Sequence, residues 1–393
     1  MTPNPGFFKP CPAWIPALTI GLLAGCGSDS IDPQPAAALT ADVTAPTVSA
    51  QKPLDASSAV CLTRAVSATF SEPVDAATIN AASFGVTDNG VAVAGSVAYD
   101  ATLRTASFVP TDTAGFAAHR SFVVTLRSGS AGIKDQASNA LGSDSVWSFT
   151  TGAQACVNAV DLRSAASYSA FGGGAGVTNS GGQTVIGGDL GTTAACTLIT
   201  GFHDAANVYT QTPLNIGAVG GQVVCGPPAP GTSTTLAAAM QARADALVAY
   251  NELAALPAGS DPAAGQLGGL VLPPAVYTSA GGRFDVTTGD LTLDAQGDAD
   301  AVWVFQSAAA LTVGLSATPR RVLLINGAQA GRVFWQVGSA ARIEDGSVMA
   351  GTVIAPAGVT VSTAGQTAQT TWTGRALGLT ASVTLVNTTL IAP

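Results

Sequence analysis

The sequence predicts a mainly β chain: a β-sandwich followed by a β-solenoid with one long α-helix packed alongside. Three observations predict it. Gly, Ala, Thr, Ser and Val dominate the 393 residues, and only 10% are Asp, Glu, Lys or Arg, against roughly 25% in ordinary globular chains. A three-residue pattern of apolar, outward and apolar positions recurs through the last quarter of the chain. One stretch alone, residues 233–256, has convincing helical character. A hydrophobic content of 47% separates this composition from that of a disordered chain.

Residues 1–25 read as a signal peptide. Lys9 gives a thin positive start, and residues 14–23 form an apolar core too short to span a bilayer, weakened by Pro16. Leu23-Ala24-Gly25-Cys26 resembles the bacterial lipobox. The resemblance implies that Cys26 is lipidated and becomes the first mature residue. Gly27 stands where an Asp would retain such a protein at the inner membrane, which implies an outer-membrane lipoprotein, periplasmic or exposed at the cell surface. Plain secretion is the alternative. No other stretch is long and apolar enough to cross a bilayer, so membrane contact is expected through the lipid alone. Residues 26–45, rich in Ser, Asp, Pro, Ala and Thr, read as an extended tether.

Residues 46–152 read as a separate all-β unit. Alternating runs at 66–70, 84–87, 106–109, 121–126 and 146–150 are separated by turn clusters such as Asp88-Asn89-Gly90. That spacing suits a β-sandwich. Ala45-Pro46-Thr47, Ala68-Thr69-Phe70-Ser71-Glu72-Pro73-Val74-Asp75, Lys134-Asp135, Asn139-Ala140-Leu141 and Trp147-Ser148-Phe149-Thr150-Thr151 resemble the bacterial Ig-like domain of S-layer and surface proteins. The resemblance implies a spacer or adhesion module. Glu72, Asp75 and Asp135 are conceivable calcium ligands, although solvated turn carboxylates are the simpler reading.

Cysteine use fits an oxidising compartment. With Cys11 in the signal peptide and Cys26 lipidated, four remain. Cys196 and Cys225 share the loop-rich start of the last domain and are expected to pair. Cys61 and Cys156 bracket the sandwich and form the second expected pair. No Cys-x-x-Cys occurs and the two His residues are isolated, so no zinc site, metal or cofactor is expected.

The last domain is expected over residues 156–393. Glycine clusters at 172–174 and 181–182 mark turns, and residues 194–230 read as loop. In the helix at 233–256, Thr232 or Ser233 can cap the start. Leu236, Met240, Ala244, Leu247 and Asn251 fall on one stripe, which makes Met240 a core filler. Pro257 stops it. Beyond it, Leu291-Thr292-Leu293, Leu311-Thr312-Val313, Ala341-Arg342-Ile343, Val359-Thr360-Val361 and Val383-Thr384-Leu385 alternate, with one side apolar and the other mostly Thr. A second set, Trp303-Val304-Phe305, Val333-Phe334-Trp335 and Gly351-Thr352-Val353-Ile354, is largely apolar on both sides, which requires a cover. Strands returning at about 20 residues mark a solenoid, and the helix is the expected cover.

This region resembles the ice-binding-like proteins. The residues carrying the resemblance include Ile186-Gly187-Gly188-Asp189-Leu190-Gly191, Ala246-Leu247-Val248-Ala249-Tyr250-Asn251, Pro274-Ala275-Val276-Tyr277, Ala301-Val302-Trp303-Val304-Phe305-Gln306 and Arg332-Val333-Phe334-Trp335-Gln336-Val337. The resemblance implies a right-handed β-helix with one parallel α-helix, and an ice crystal surface as partner.

Charge and motifs narrow the function further. The formal net charge is −9 with no basic run, which argues against nucleic acid. Asp285, Asp290, Asp294, Asp298 and Asp300 cluster in sequence, but Gly289-Asp290 and Gly297-Asp298 are turn dipeptides. No catalytic motif stands out, so the chain is read as no enzyme; a β-helix polysaccharide-active enzyme is the remote alternative. A non-catalytic adhesin or structural surface protein is the nearer one. The expected ice-binding residues are Thr292, Thr312, Thr360 and Thr384, with Ser362 beside them, on a monomer. Arg342 and Glu344 interrupt that column with charge. A rival set, Thr363, Thr367, Thr370, Thr371 and Thr373, is expected on corners and loops.

Overall fold

The computed structural model describes residues 41–316, 318–362 and 367–393. The expected signal peptide, the Cys26 lipidation site and most of the tether lie outside the described residues.

The sandwich has two sheets. One holds Val48–Lys52, Val66–Phe70, Thr105–Pro110 and Gly95–Asp100 in that spatial order, all antiparallel. The other holds Ser57–Val60, Ser145–Thr151, Ser121–Leu126, Phe84–Asp88 and Val91–Ala92, the first pair parallel. Period-two alternation turns Val66, Ala68 and Phe70 inward, as it does Phe122, Val124 and Leu126. They meet Phe84, Phe108, Trp147 and Phe149 in one core. Between Phe84–Asp88 and Val91–Ala92, Asn89 has φ 49° and Gly90 φ 81°, the left-handed pair that a two-residue hairpin needs. Asp75 accepts from the Ala77 amide at 3.0 Å and Asp135 from the Asn139 amide at 2.7 Å. Both carboxylates hold turns.

The solenoid has three faces. Along the first, eight strands stack in parallel: Val223–Gly226, Asp189–Ala195, Tyr168–Gly172, Thr370–Gly378, Val348–Ala355, Val333–Val337, Trp303–Ser307 and Val276–Thr278. The C-terminal coil therefore lies inside the stack, with earlier segments at both ends. The helix, Ser233–Ala254, connects those ends. Its 22 residues span roughly 33 Å at 1.5 Å each, and seven strand spacings of about 4.8 Å span roughly 34 Å. The number of coils sets the length of the helix.

The helix covers the doubly apolar strands as expected. Val304, Phe334, Ile354 and Leu377 pack with Ala239, Ala242, Ala246, Ala249 and Leu253. The buried stripe differs from the one read from sequence. Met240 is 58% exposed and Leu247 44%, so Met240 is not core filler. Alanine brings helix and sheet backbones close; Leu253 is buried with them, and Met240 and Leu247 are left outside. Thr232 is the N-cap: its hydroxyl accepts from the Thr235 amide at 3.1 Å, and Thr235 Oγ1 accepts from the Thr232 amide at 2.8 Å.

Two long strands, Val348–Ala355 and Thr370–Gly378, turn a corner and so belong to two faces. The corner lies at the registered pair Gly351 and Gly374. Their φ values are 102° and 157°, and a Cβ on Gly374 would fall 1.9 Å from the Gly351 carbonyl oxygen. Only glycine fits such an approach.

The segment 194–230, read as loop, contains short strands. Ile199–Thr200, Phe202–His203, Val208–Tyr209, Gly217–Val219 and Val223–Gly226 finish one end of the stack. Strands this short leave too few positions for alternation to show. Both expected disulfides, Cys61–Cys156 and Cys196–Cys225, are present. Among the described residues no helix is long and apolar enough to cross a membrane.

Candidate functional site

The second face carries a single outward column. Its in-register rungs are Asp285, Thr312, Arg342, Thr360, Thr384, Thr178 and Thr200. Most strands here hold three residues, buried at both ends, as in Val359–Val361, so the column is one side chain wide. Thr312, Thr360 and Thr384 share it as expected, and Thr178 and Thr200 extend it. Charge ends it at Asp285, which pairs with Arg283 at 2.8 Å, and interrupts it between Thr312 and Thr360 at Arg342, which pairs with Glu344.

Two expected members are elsewhere. Thr292 lies on the third face, where it registers with Val271 and Leu323. The rung neighbour of Thr312 is Asp285 instead. Alternation looks the same on both faces, so the local pattern could not assign Thr292. Ser362 is 1% exposed, with φ 66° and, among the described residues, no hydrogen-bond partner for its hydroxyl. It follows Val361 into the corner and is turned away from solvent.

The third face is wider. Val348 registers with Thr371, Thr371 with Thr389, Thr389 with Val185 and Val185 with Ala218. All five are partly or fully exposed. A second, shorter column stands two residues along, where Thr373 registers with Ile391; on the next strand the registered Ala350 is buried. The inward neighbours Met349, Trp372, Leu390 and Ile186 fill the core. This run carries no charge; Arg321 registers with Val348 at one end and His203 with Ala218 at the other. Thr370, Thr371 and Thr373 are thus strand residues, not the corner and loop positions expected. Thr370 is buried, whereas Thr371 and Thr373 face solvent. Thr367 is exposed outside any strand, and Thr363 lies outside the described residues.

Sequence reasoning missed Val348, Thr389, Ile391, Val185 and Ala218. The available signal was Thr370-Thr371-Trp372-Thr373, in which Thr flanks an inward Trp. Continuity could not be read, because residues 184–186 stack on residues 388–391 across most of the domain's sequence.

The sequence cluster of acids is dispersed into structural roles. Asp290 accepts from the Arg321 amide at 2.9 Å, Asp294 from Asn326 Nδ2 at 2.8 Å, and Asp300 pairs with Arg332 at 2.8 Å. Asp298 faces Arg64 and Lys52.

The architecture defines a β-solenoid closed along one face by a helix and presenting a regular, uncharged face to solvent. The sequence profile of the ice-binding-like family matches residues 171–391, and the chain belongs to that family. The bacterial Ig-like domain profile matches residues 42–151. An ice-binding protein of Nostoc sp. is 39% identical over 132 residues, covering 34% of this chain and 46% of its own length. Ice-binding protein 1 of Shewanella frigidimarina is 39% identical over 150 residues, 37% of this chain and 16% of that protein. An ice-binding protein of Typhula ishikariensis is 34% identical over 182 residues, 44% of this chain and 68% of that protein. The chain spans less than half the length of the first two of these relatives. Among solved structures, a domain of the Shewanella frigidimarina ice-binding protein 1 superposes with a TM-score of 0.50 at 28% identity, covering 60% of this chain and 98% of that one.

Proposed function

We propose that this chain binds ice through the third face of its solenoid, centred on Thr371, Thr373, Thr389, Ile391, Val185 and Val348. One observation carries the choice of face: it is the two-column, charge-free, solvent-facing run, whereas the Thr column next to it is one residue wide and interrupted by Arg342. Registered strands repeat at about 4.8 Å and outward residues along a strand at about 6.8 Å, which gives a two-dimensional grid. Methyl groups on that grid restrict the water above them, and Thr hydroxyls anchor it by hydrogen bonds. β-Branched side chains lose little rotamer freedom on meeting a lattice. Many weak contacts, already ordered before binding, add up to a firm hold. A charged group would instead hold its own hydration shell against the lattice, which disfavours the Arg342 column. The kinship with ice-binding proteins supports the reading.

The remaining chain serves display. Residues 1–25 act as a lipoprotein signal, Cys26 as the lipid anchor at the outer membrane, residues 26–45 as tether, residues 46–152 as a spacer sandwich, and residues 156–393 as the non-catalytic ice-binding domain. Ice-affinity partitioning of the purified chain tests the central claim. Enrichment in the frozen fraction is expected; retention in the liquid fraction, as for an adhesin with another ligand, overturns it.

A further inference from the structure

The turn at residues 295–298 lies at one end of the solenoid and is occupied by the sandwich. Asp298 makes an ion pair with Arg64 and lies 4.0 Å from Lys52 Nζ. The Ser58 amide donates to Gln296 Oε1 at 2.9 Å. Leu54 seats on Gly297, where a Cβ would fall 2.6 Å from Leu54 Cδ1. The side chains of Asp298 and Arg64 are only 16% and 22% exposed, so losing either partner strands a partly desolvated charge.

A second set of contacts comes from the connector between the domains. The Val276 amide donates to Gln154 Oε1 at 3.1 Å, and the Cys156 amide to Thr63 Oγ1 at 3.0 Å. The Leu62 amide donates to the Gln154 carbonyl at 2.8 Å. Cys156 is itself bonded to Cys61. Val276 begins the edge strand of the helix-covered face, and Gln154 gives its backbone donor a partner. Ser260 bridges the rest of that edge, accepting from the Thr278 amide at 3.0 Å, so the connector closes the position at Val276, which left open would invite pairing with another chain.

A disulfide alone leaves a hinge between two bodies. Contacts displaced from it remove the hinge, because points that are not in line fix one body on the other. We infer that sandwich and solenoid form one rigid arm, held by the Cys61–Cys156 disulfide, the Arg64–Asp298 pair and the Gln154–Val276 hydrogen bond, and that the connector caps the solenoid edge. The sandwich is then a bracket that holds the solenoid at a set angle to its own two sheets. The inference does not depend on what the solenoid binds.

Spin labels on Leu103→Cys, in the sandwich, and Met240→Cys, on the helix, report the angle through their distance distribution. Both native residues are exposed. A single narrow distribution is expected with the joint intact. Arg64→Ala combined with Gln154→Ala is expected to lose it, with circular dichroism and both disulfides unchanged. A broad distribution in the intact joint, or a narrow one in the double variant, overturns the inference.

Discussion

Phe305 and Trp335 stack face to face from neighbouring coils, with ring centroids 4.0 Å apart and planes 12° from parallel. They are registered partners in adjacent parallel strands. Tyr277, one coil further along, continues the stack on Phe305 at 5.3 Å and 18°. Registered inward positions repeat at about 4.8 Å, and flat rings fill that spacing with little void. The Trp335 indole donates to the Ala350 carbonyl at 3.0 Å, so its one polar atom is satisfied inside the core. Trp335→Ala should therefore cost about 3–5 kcal/mol by opening a cavity between coils. Denaturant unfolding of the two proteins measures it. A loss within the range of surface substitutions, about 0.5 kcal/mol, would show that the stack does not hold the coils.

The helix gives a paired test of which stripe is buried. Ala246 is 1% exposed against the sheet, so Ala246→Leu must push the helix outward and should cost about 1–3 kcal/mol. Met240→Ala should change stability by no more than about 0.5 kcal/mol, as for an exposed site. If the costs come in the reverse order by thermal denaturation, the stripe of Leu236, Met240 and Leu247 is the packed one after all.

That stripe shows where the sequence stopped being legible. The sandwich strands at Val66–Phe70, Phe84–Asp88, Thr105–Pro110, Ser121–Leu126 and Ser145–Thr151, the helix, its cap, its covering role, both disulfides and the solenoid could be read, because each rests on local periodicity or on simple chain accounting; the sandwich strands Val48–Lys52, Ser57–Val60, Val91–Ala92 and Gly95–Asp100 were not. The contact stripe could not, since the approach of helix to sheet rewards small residues and the sequence pattern rewards large ones. The two outward columns differ in legibility for another reason. Thr312, Thr360 and Thr384 share a column because their coils follow one another in the chain. Thr389 and Val185 share one only because the helix carries the chain from one end of the stack to the other, which no local pattern records.

Alkaline stability should follow the buried tyrosines. Burial, reinforced by the nearby Asp189 charge, pushes Tyr168 up to about 12. Burial also raises Tyr209 and Tyr277, and for Tyr209 the Asp204 carboxylate adds to it. In the unfolded chain all three should titrate near the ordinary value of about 10. The folded state thus keeps protons that the unfolded state loses. This contribution is complete below about pH 10 and falls away as pH rises through the folded values. Only Lys52 and Lys134 lie among the described residues as lysines, so few other groups compete in that range. Unfolding free energy should decline from about pH 10 to 12, and Tyr168→Phe should flatten the early part of the decline. An unchanged slope in that variant would remove Tyr168 from the account.

The two outward faces can be told apart by bulk. Thr371 is exposed between inward Thr370 and Trp372, and Thr389 stands on the adjacent rung. A tyrosine at either position would project beyond its neighbours and hold a lattice away from the whole two-column run, while the inward packing of the strand is untouched. Thr371→Tyr should therefore reduce partitioning into ice at least tenfold, the equivalent of about 1.4 kcal/mol, with an unchanged melting temperature. Thr360→Tyr and Thr384→Tyr place the same bulk on the narrow column and should leave partitioning close to that of the unaltered chain. Thr292→Tyr, on the third face but nearer its end, should fall between. Ice-affinity partitioning, with circular dichroism to confirm folding, measures all four. Should Thr360→Tyr abolish binding while Thr371→Tyr leaves it intact, the lattice meets the Thr312, Thr360 and Thr384 column, and a wide uncharged grid is not what ice selects on this solenoid.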